Sequence, residues 1–124
     1  MINPIDPSLL WSANKITDLL KDKSPIEIIT WALSVAKNPV VTTNFRPYEV
    51  AILHACTQID PELKVIWCDT GYNTPQTYKH ANELINSLGL NVHLYVPEQT
   101  SAYRDSIWGF LKLKIHNMQF LLNK

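Results

Sequence analysis

From Pro39 to Pro97 the sequence alternates between two hydrophobic periods, and no other feature narrows the fold as much. "PVVTT" (Pro39–Thr43) reads as a short strand, and "PYEVAILHACTQI" (Pro47–Ile59) as a helix with apolar Val50, Ile52, Leu53 and Cys56. "KVIWCD" (Lys64–Asp69) reads as a second strand. "TPQTYKHANELINSLG" follows as a helix, with Thr74 as its cap, Pro75 at its first position and Gly89 as its stop. "NVHLYVP" (Asn91–Pro97) is a third strand. Strands joined by helices run parallel through right-handed crossovers, so this stretch predicts an α/β sheet with helices on its faces.

Two helices are expected ahead of that core. Asp6-Pro7 is a cap with proline at the first helical position, opening a helix to about Leu20. "SPIE" (Ser24–Glu27) is a capping box opening a second helix to about Lys37. After the core, "SAYRDSIWG" predicts a short helix stopped by Gly109, and "LKLKIHNMQFLLNK" favours helix over strand. The expected organisation is a single domain with leading helices in 1–38, a βαβαβ core in 39–97 and a tail in 98–124.

The 124 residues suffice for one core, and a formal net charge of zero argues against a nucleic-acid binder that works through an overall basic field. "MINPIDPSLLW" lacks the basic start and continuous apolar run of a signal peptide, and no run has membrane-span length, so a cytoplasmic protein without membrane contact is the expectation. Cys56 and Cys68 form no metal-spaced cluster, and two reduced, buried thiols are expected. No metal site is predicted.

In an open parallel sheet, ligands bind beyond the carboxyl ends of the strands. Two loops leave those ends here, Asn44–Arg46 and Thr70–Asn73, and each runs into a helix N-terminus, whose N–H groups and dipole favour an anion. Thr42, Thr43 and Asn44 add short donors, and Arg46 adds a planar cationic fork suited to phosphate or sulfate. Asp69 stands at the strand end, Gly71 permits close backbone approach, and Tyr72 offers a flat face to a ring. Each also has an ordinary reading: Arg46 as a solvated turn residue, Asp69 as a turn cap, Tyr72 as cover for the sheet edge, Glu49 as a carboxylate suited to the helix dipole. Together they point to an anionic, nucleotide-like ligand.

The stretch from Ile26 to Pro97 resembles the phosphoadenylyl-sulfate (PAPS) and adenylyl-sulfate reductase family of the adenine nucleotide α-hydrolase-like superfamily. Its most specific part is "DTGY", then "TPQTY" and "LGLNVHLY". Thr70, Gly71, Tyr72, Thr77 and Tyr78 fit the family pattern, whereas Gln76 replaces the usual glutamate. In the first loop Thr43 and Phe45 are kept, Asn44 stands at the usual serine and Arg46 at the usual glycine. The resemblance implies a Rossmann-like three-layer α/β/α fold with a short parallel sheet. It implies substrate binding by Thr42, Thr43, Asn44, Phe45, Arg46, Asp69, Thr70, Gly71 and Tyr72. The activity implied is reduction of PAPS sulfate to sulfite in assimilatory sulfate reduction, with thioredoxin or glutaredoxin as reductant and no cofactor bound in this chain.

The family's catalytic cysteine belongs to a Glu-Cys-Gly-Leu-His segment that these residues do not contain, and neither Cys56 nor Cys68 matches it. The expectation is a sulfonucleotide-binding core, for PAPS or adenylyl sulfate, without a catalytic residue of its own for the covalent step. In the family the first strand has neighbours on both sides, so here one of its edges needs a cover: the tail, a partner such as a second copy, or, if these residues are a fragment, the rest of the chain. An adenylating ATP pyrophosphatase-like enzyme is the alternative, but it needs a phosphate-loop lysine, and none lies between Val40 and Leu63. A non-catalytic interaction module is the other.

Overall fold

The computed structural model describes residues 12–109. A three-stranded parallel sheet, ordered β1-β2-β3, joins β1 (Val40–Thr42), β2 (Lys64–Cys68) and β3 (Asn91–Tyr95). Helices α1 (Ala13–Leu20) and α2 (Pro25–Val35) precede it, α3 (Val50–Ile59) and α4 (Pro75–Leu88) connect its strands, and α5 covers 101–109. This is the α/β, Rossmann-like class expected.

Both crossovers proceed in the same direction along the sheet, and right-handed crossovers of that kind put their helices on one face. Val41, Val65 and Val92 lie in register across the strands on that face. Val65 and Trp67 of β2 pack there with Phe45, Leu53 of α3 and Ala81 of α4, and Val65 is fully buried. The opposite face carries Thr42, Ile66 and His93 in register, half-buried or exposed among the described residues. On the edge, β1 has a paired neighbour only on its β2 side among the described residues, and Val40 is 46% exposed.

The helix ends follow local chemistry. The Ser24 hydroxyl accepts from Glu27 N–H at 3.3 Å while a Glu27 carboxylate oxygen accepts from Ser24 N–H at 2.8 Å, completing the capping box. The Thr74 hydroxyl accepts from Thr77 N–H, and α4 ends at Gly89 in the left-handed region with φ of 62°.

Several boundaries differ from the sequence reading. A continuous helix from Pro7 to Leu20 does not form: Ser12 is extended and caps α1, its hydroxyl accepting from Lys15 N–H. The Asp6-Pro7 start itself lies outside the described residues, as does the expected tail helix after Gly109. Extended Ala36 ends α2 short of Lys37. The helix read from Pro47 begins as a 3-10 turn, Pro47–Glu49, and becomes α-helical at Val50. Ile52, one of the apolar residues of that helix, is 55% exposed, because α3 turns Leu53 and Cys56 inward. Cys68 is also exposed rather than buried, since it lies one residue beyond Trp67 and faces away from the α3–α4 layer.

Candidate functional site: two loops at one sheet edge

Adjacent parallel strands bring the two loops together. Thr43 N–H donates to the Ile66 carbonyl at 3.0 Å and Asp69 N–H to the Tyr95 carbonyl at 2.9 Å, so the ladder is extended up to the point where each loop leaves the sheet.

The β1 loop turns on an unusual residue. Phe45 has φ of 55°, a left-handed conformation that ordinarily selects glycine. A non-glycine residue there costs roughly 1–3 kcal/mol. Burial offsets it: Phe45 is 2% exposed and meets Trp67 edge-to-face at 4.8 Å between ring centroids. Its N–H donates to the Thr43 hydroxyl at 2.9 Å. That hydroxyl in turn donates to a Glu49 carboxylate oxygen at 2.5 Å, and the same oxygen accepts from Asn44 N–H at 2.7 Å. Glu49 therefore folds back from the 3-10 turn and fastens the loop, a role that sequence reasoning assigned only to the helix dipole.

Burial alone would raise the Glu49 pKa, but the bonds from Thr43, Asn44 and Arg46 N–H, with the Arg46 charge, hold it below its usual 4.5. A carboxylate with a depressed folded pKa contributes stability that is present above its unfolded pKa and lost as pH falls through the folded value. Loosening of the β1 loop below pH 4.5 is the expected outcome. It is read as a change in Trp67 fluorescence that is reduced in Glu49→Gln, which cannot titrate; an identical acid transition in the variant would contradict it.

The β2 loop has its own anchor. One oxygen of Asp69 accepts from Gly71 N–H, Asn73 Nδ2 and the Tyr78 hydroxyl, each at 2.9 Å. Burial opposes ionisation, but these three donors outweigh it and lower the Asp69 pKa below 3.8. Gly71 has φ of 81°, and a Cβ there would meet Arg104 Nη2 at 3.2 Å. The close approach expected at Gly71 is thus made by a protein side chain. Tyr72 donates through its hydroxyl to Asp105 at 2.8 Å and lies 4.7 Å below the Arg104 guanidinium, so one ring face is already covered.

Between the loops is a cleft of about 380 Å³, within the range of small-molecule sites. Of the residues singled out in the sequence, Asn44, Phe45, Arg46 and Thr70 line it together. Pro47, Cys68, Asn73 and Thr77 also line it and were not singled out as ligand residues. Asn73 and Thr77 lay within the recognised motif, and Cys68 and Pro47 directly adjoin the two loops in sequence. Thr42 and Thr43 line instead a recess of about 150 Å³ with Glu49. Asp69 borders a shallow hollow of about 250 Å³ beside Tyr95 and Pro97, while Gly71 and Tyr72 line none of these three spaces. Arg46 is exposed, and its side chain makes no hydrogen bond or salt bridge among the described residues. The cleft thus offers a cationic fork beside amide and hydroxyl groups, a combination suited to an anion. Among the described residues no cluster of histidine, cysteine and carboxylate groups could hold a metal ion, and no helix is long and apolar enough to cross a membrane.

An α/β sheet with paired loops at its carboxyl edge defines the class, and comparison defines the family. Residues 38–118 match the family model described as phosphoadenosine phosphosulfate reductase domain. The chain is 37% identical over 106 residues to a phosphoadenosine 5′-phosphosulfate reductase of Synechococcus sp., covering 85% of this chain and 46% of that protein. It is 34% identical to the protein of the same name from Alteromonas mediterranea, covering 77% of this chain and 39% of that one. A crystal structure of phosphoadenylyl-sulfate reductase from Candida auris, a phosphate complex, superposes with a TM-score of 0.67 at 26% identity, covering 78% of this chain and 52% of that one. The chain belongs to the phosphoadenosine phosphosulfate reductase domain family. It spans less than half the length of these two curated relatives.

Proposed function

We propose that the chain binds a sulfonucleotide, PAPS or adenylyl sulfate, in the cleft between the β1 and β2 loops. The observation that carries this is the Arg46 guanidinium, exposed at that cleft and, although its charge acts on Glu49, in no salt bridge among the described residues. Phosphate or sulfate oxygens suit its planar fork, and Asn44, Asn73, Thr70 and Thr77 supply shorter polar contacts. Pro47 fixes φ directly after Arg46 and limits where the fork can point. Family membership and the phosphate held by the Candida auris relative support the same reading.

Reduction of sulfate to sulfite needs a nucleophilic thiolate at the sulfur and a dithiol reductant, thioredoxin or glutaredoxin, to cleave the resulting thiosulfonate. Cys56 is buried in α3, and burial pushes its thiol pKa up, the opposite of what a nucleophile needs. Cys68 is exposed and lines the cleft, but it stands at the end of β2 and not in a Glu-Cys-Gly-Leu-His segment, which these residues do not contain. We assign these 124 residues to binding and not to the covalent step. Calorimetry with adenosine 3′,5′-bisphosphate tests the binding role. The wild type is expected to bind, and Arg46→Ala to bind about tenfold more weakly, with the difference shrinking as salt is raised. No binding by the wild type, or equal binding by Arg46→Ala, would remove the proposal. Incubation of the same chain with PAPS and reduced thioredoxin is expected to release no sulfite.

A further inference from the structure

The outer side of the β2 loop is held by α5, a contact that the binding role of the cleft leaves unexplained. Arg104 Nη2 donates to the Thr70 carbonyl, and its guanidinium stacks over the Tyr72 ring at 4.7 Å. The Tyr72 hydroxyl donates to Asp105 at 2.8 Å and also lies 3.4 Å from the Ser101 carbonyl. Thr100 fixes the start of α5: its hydroxyl accepts from Tyr103 N–H at 3.1 Å and its carbonyl from Arg104 N–H at 3.0 Å. Gly71 lets the two pieces approach, since a Cβ there would crowd Arg104 Nη2 at 3.2 Å. The phenol pKa of Tyr72 is raised, chiefly by its bond to Asp105, as expected of a hydroxyl held as a donor.

We propose that α5 latches the β2 loop, with Arg104 as a positioning residue that holds Thr70 and Asn73 in the shape the cleft requires. The inference rests on the sulfonucleotide-binding reading above. Thr70 and Asn73 line the cleft, yet apart from the latch their loop is fixed mainly by Asp69 at its base. A guanidinium is suited to the task because it donates to a carbonyl while its flat face stacks on a ring. An ammonium keeps the charge and loses the flat stack.

The test uses the whole 124-residue chain, with adenosine 3′,5′-bisphosphate as the probe, and hydrogen exchange at the Gly71 and Tyr72 amides as a second readout. Arg104→Met is expected to weaken binding about tenfold and to accelerate exchange at both amides, while Tyr72→Phe weakens binding about threefold. Arg104→Lys is expected to recover only part of the loss. Wild-type affinity in Arg104→Met with unchanged exchange would overturn the latch and leave the binding role intact. Full rescue by Arg104→Lys without any change in exchange would overturn it too, because it would make Arg104 a simple charge. Absence of binding by the wild type would overturn the reading on which the latch rests. Should Arg104→Met lose its helical circular dichroism, Arg104→Lys and Tyr72→Phe supply the same comparison.

Discussion

Phe45→Ala is expected to destabilise the domain by about 3–5 kcal/mol, the cost of removing a buried aromatic ring. Phe45 is 2% exposed and packs edge-to-face on Trp67, which is itself buried between the sheet and α4. Small domains have roughly 5–15 kcal/mol of total stability, so this one substitution removes a large share of it. The left-handed backbone adds a sharper expectation. At φ of 55° alanine still carries the steric penalty that the ring had offset, whereas glycine carries none. Phe45→Gly should therefore be about 1 kcal/mol more stable than Phe45→Ala, reversing the usual order of the two residues. Urea unfolding of both variants provides the check. A loss below about 1 kcal/mol in Phe45→Ala would mean that the ring does not hold the loop, and the coupling of loop to core would fail with it.

Asp69→Ala is expected to cost about 2–4 kcal/mol at neutral pH, because one carboxylate oxygen serves three donors from three residues. Asn73, one of those donors, lines the cleft, so nucleotide affinity should fall along with stability. The pH dependence separates this from a generic packing defect. The folded pKa of Asp69 lies below 3.8, so its contribution is complete above that value and is lost as pH falls through the folded pKa. The stability gap between wild type and Asp69→Ala should accordingly narrow in strong acid. A gap independent of pH would show that the carboxylate charge is not what orders the loop.

These substitutions bear on why this strand-to-helix turn dispenses with glycine. The left-handed step is taken by Phe45, stabilised from beneath by Trp67 and from within by Thr43. Arg46 is thereby placed at the cleft, next to a proline that fixes the following turn. Glu49 satisfies the Asn44 amide with a carboxylate of the chain itself. A dianionic ligand entering beside Asn44 would therefore meet a loop already ordered by one negative charge and bearing one positive one. Strong electrolyte should weaken the Arg46 contact more than the internal bonds, because exposed pairs are screened and partly buried ones much less.

Much of the architecture was legible in the order of residues, because the rules involved act over a few positions. The period-two and helical stretches announced β1, α3, β2, α4 and β3 in turn, and parallel crossovers follow from that alternation. The Ser24 box, the Thr74 cap and the Gly89 stop are each completed within five residues of chain, and each formed as read. Adjacency of the two loops was also legible, since parallel strands end on the same side of a sheet. What folding alone settled depends on residues far apart in sequence. Only the finished core makes a left-handed Phe45 tolerable, because its offsetting contact comes from Trp67. Only the return of the chain after β3 brings Arg104 and Asp105 onto Tyr72, more than thirty residues earlier, and turns a presumed ring platform into one half of a latch. Cys68 became exposed for a similar reason: both crossover helices pack on one face, and a strand pattern by itself does not say which face is left open.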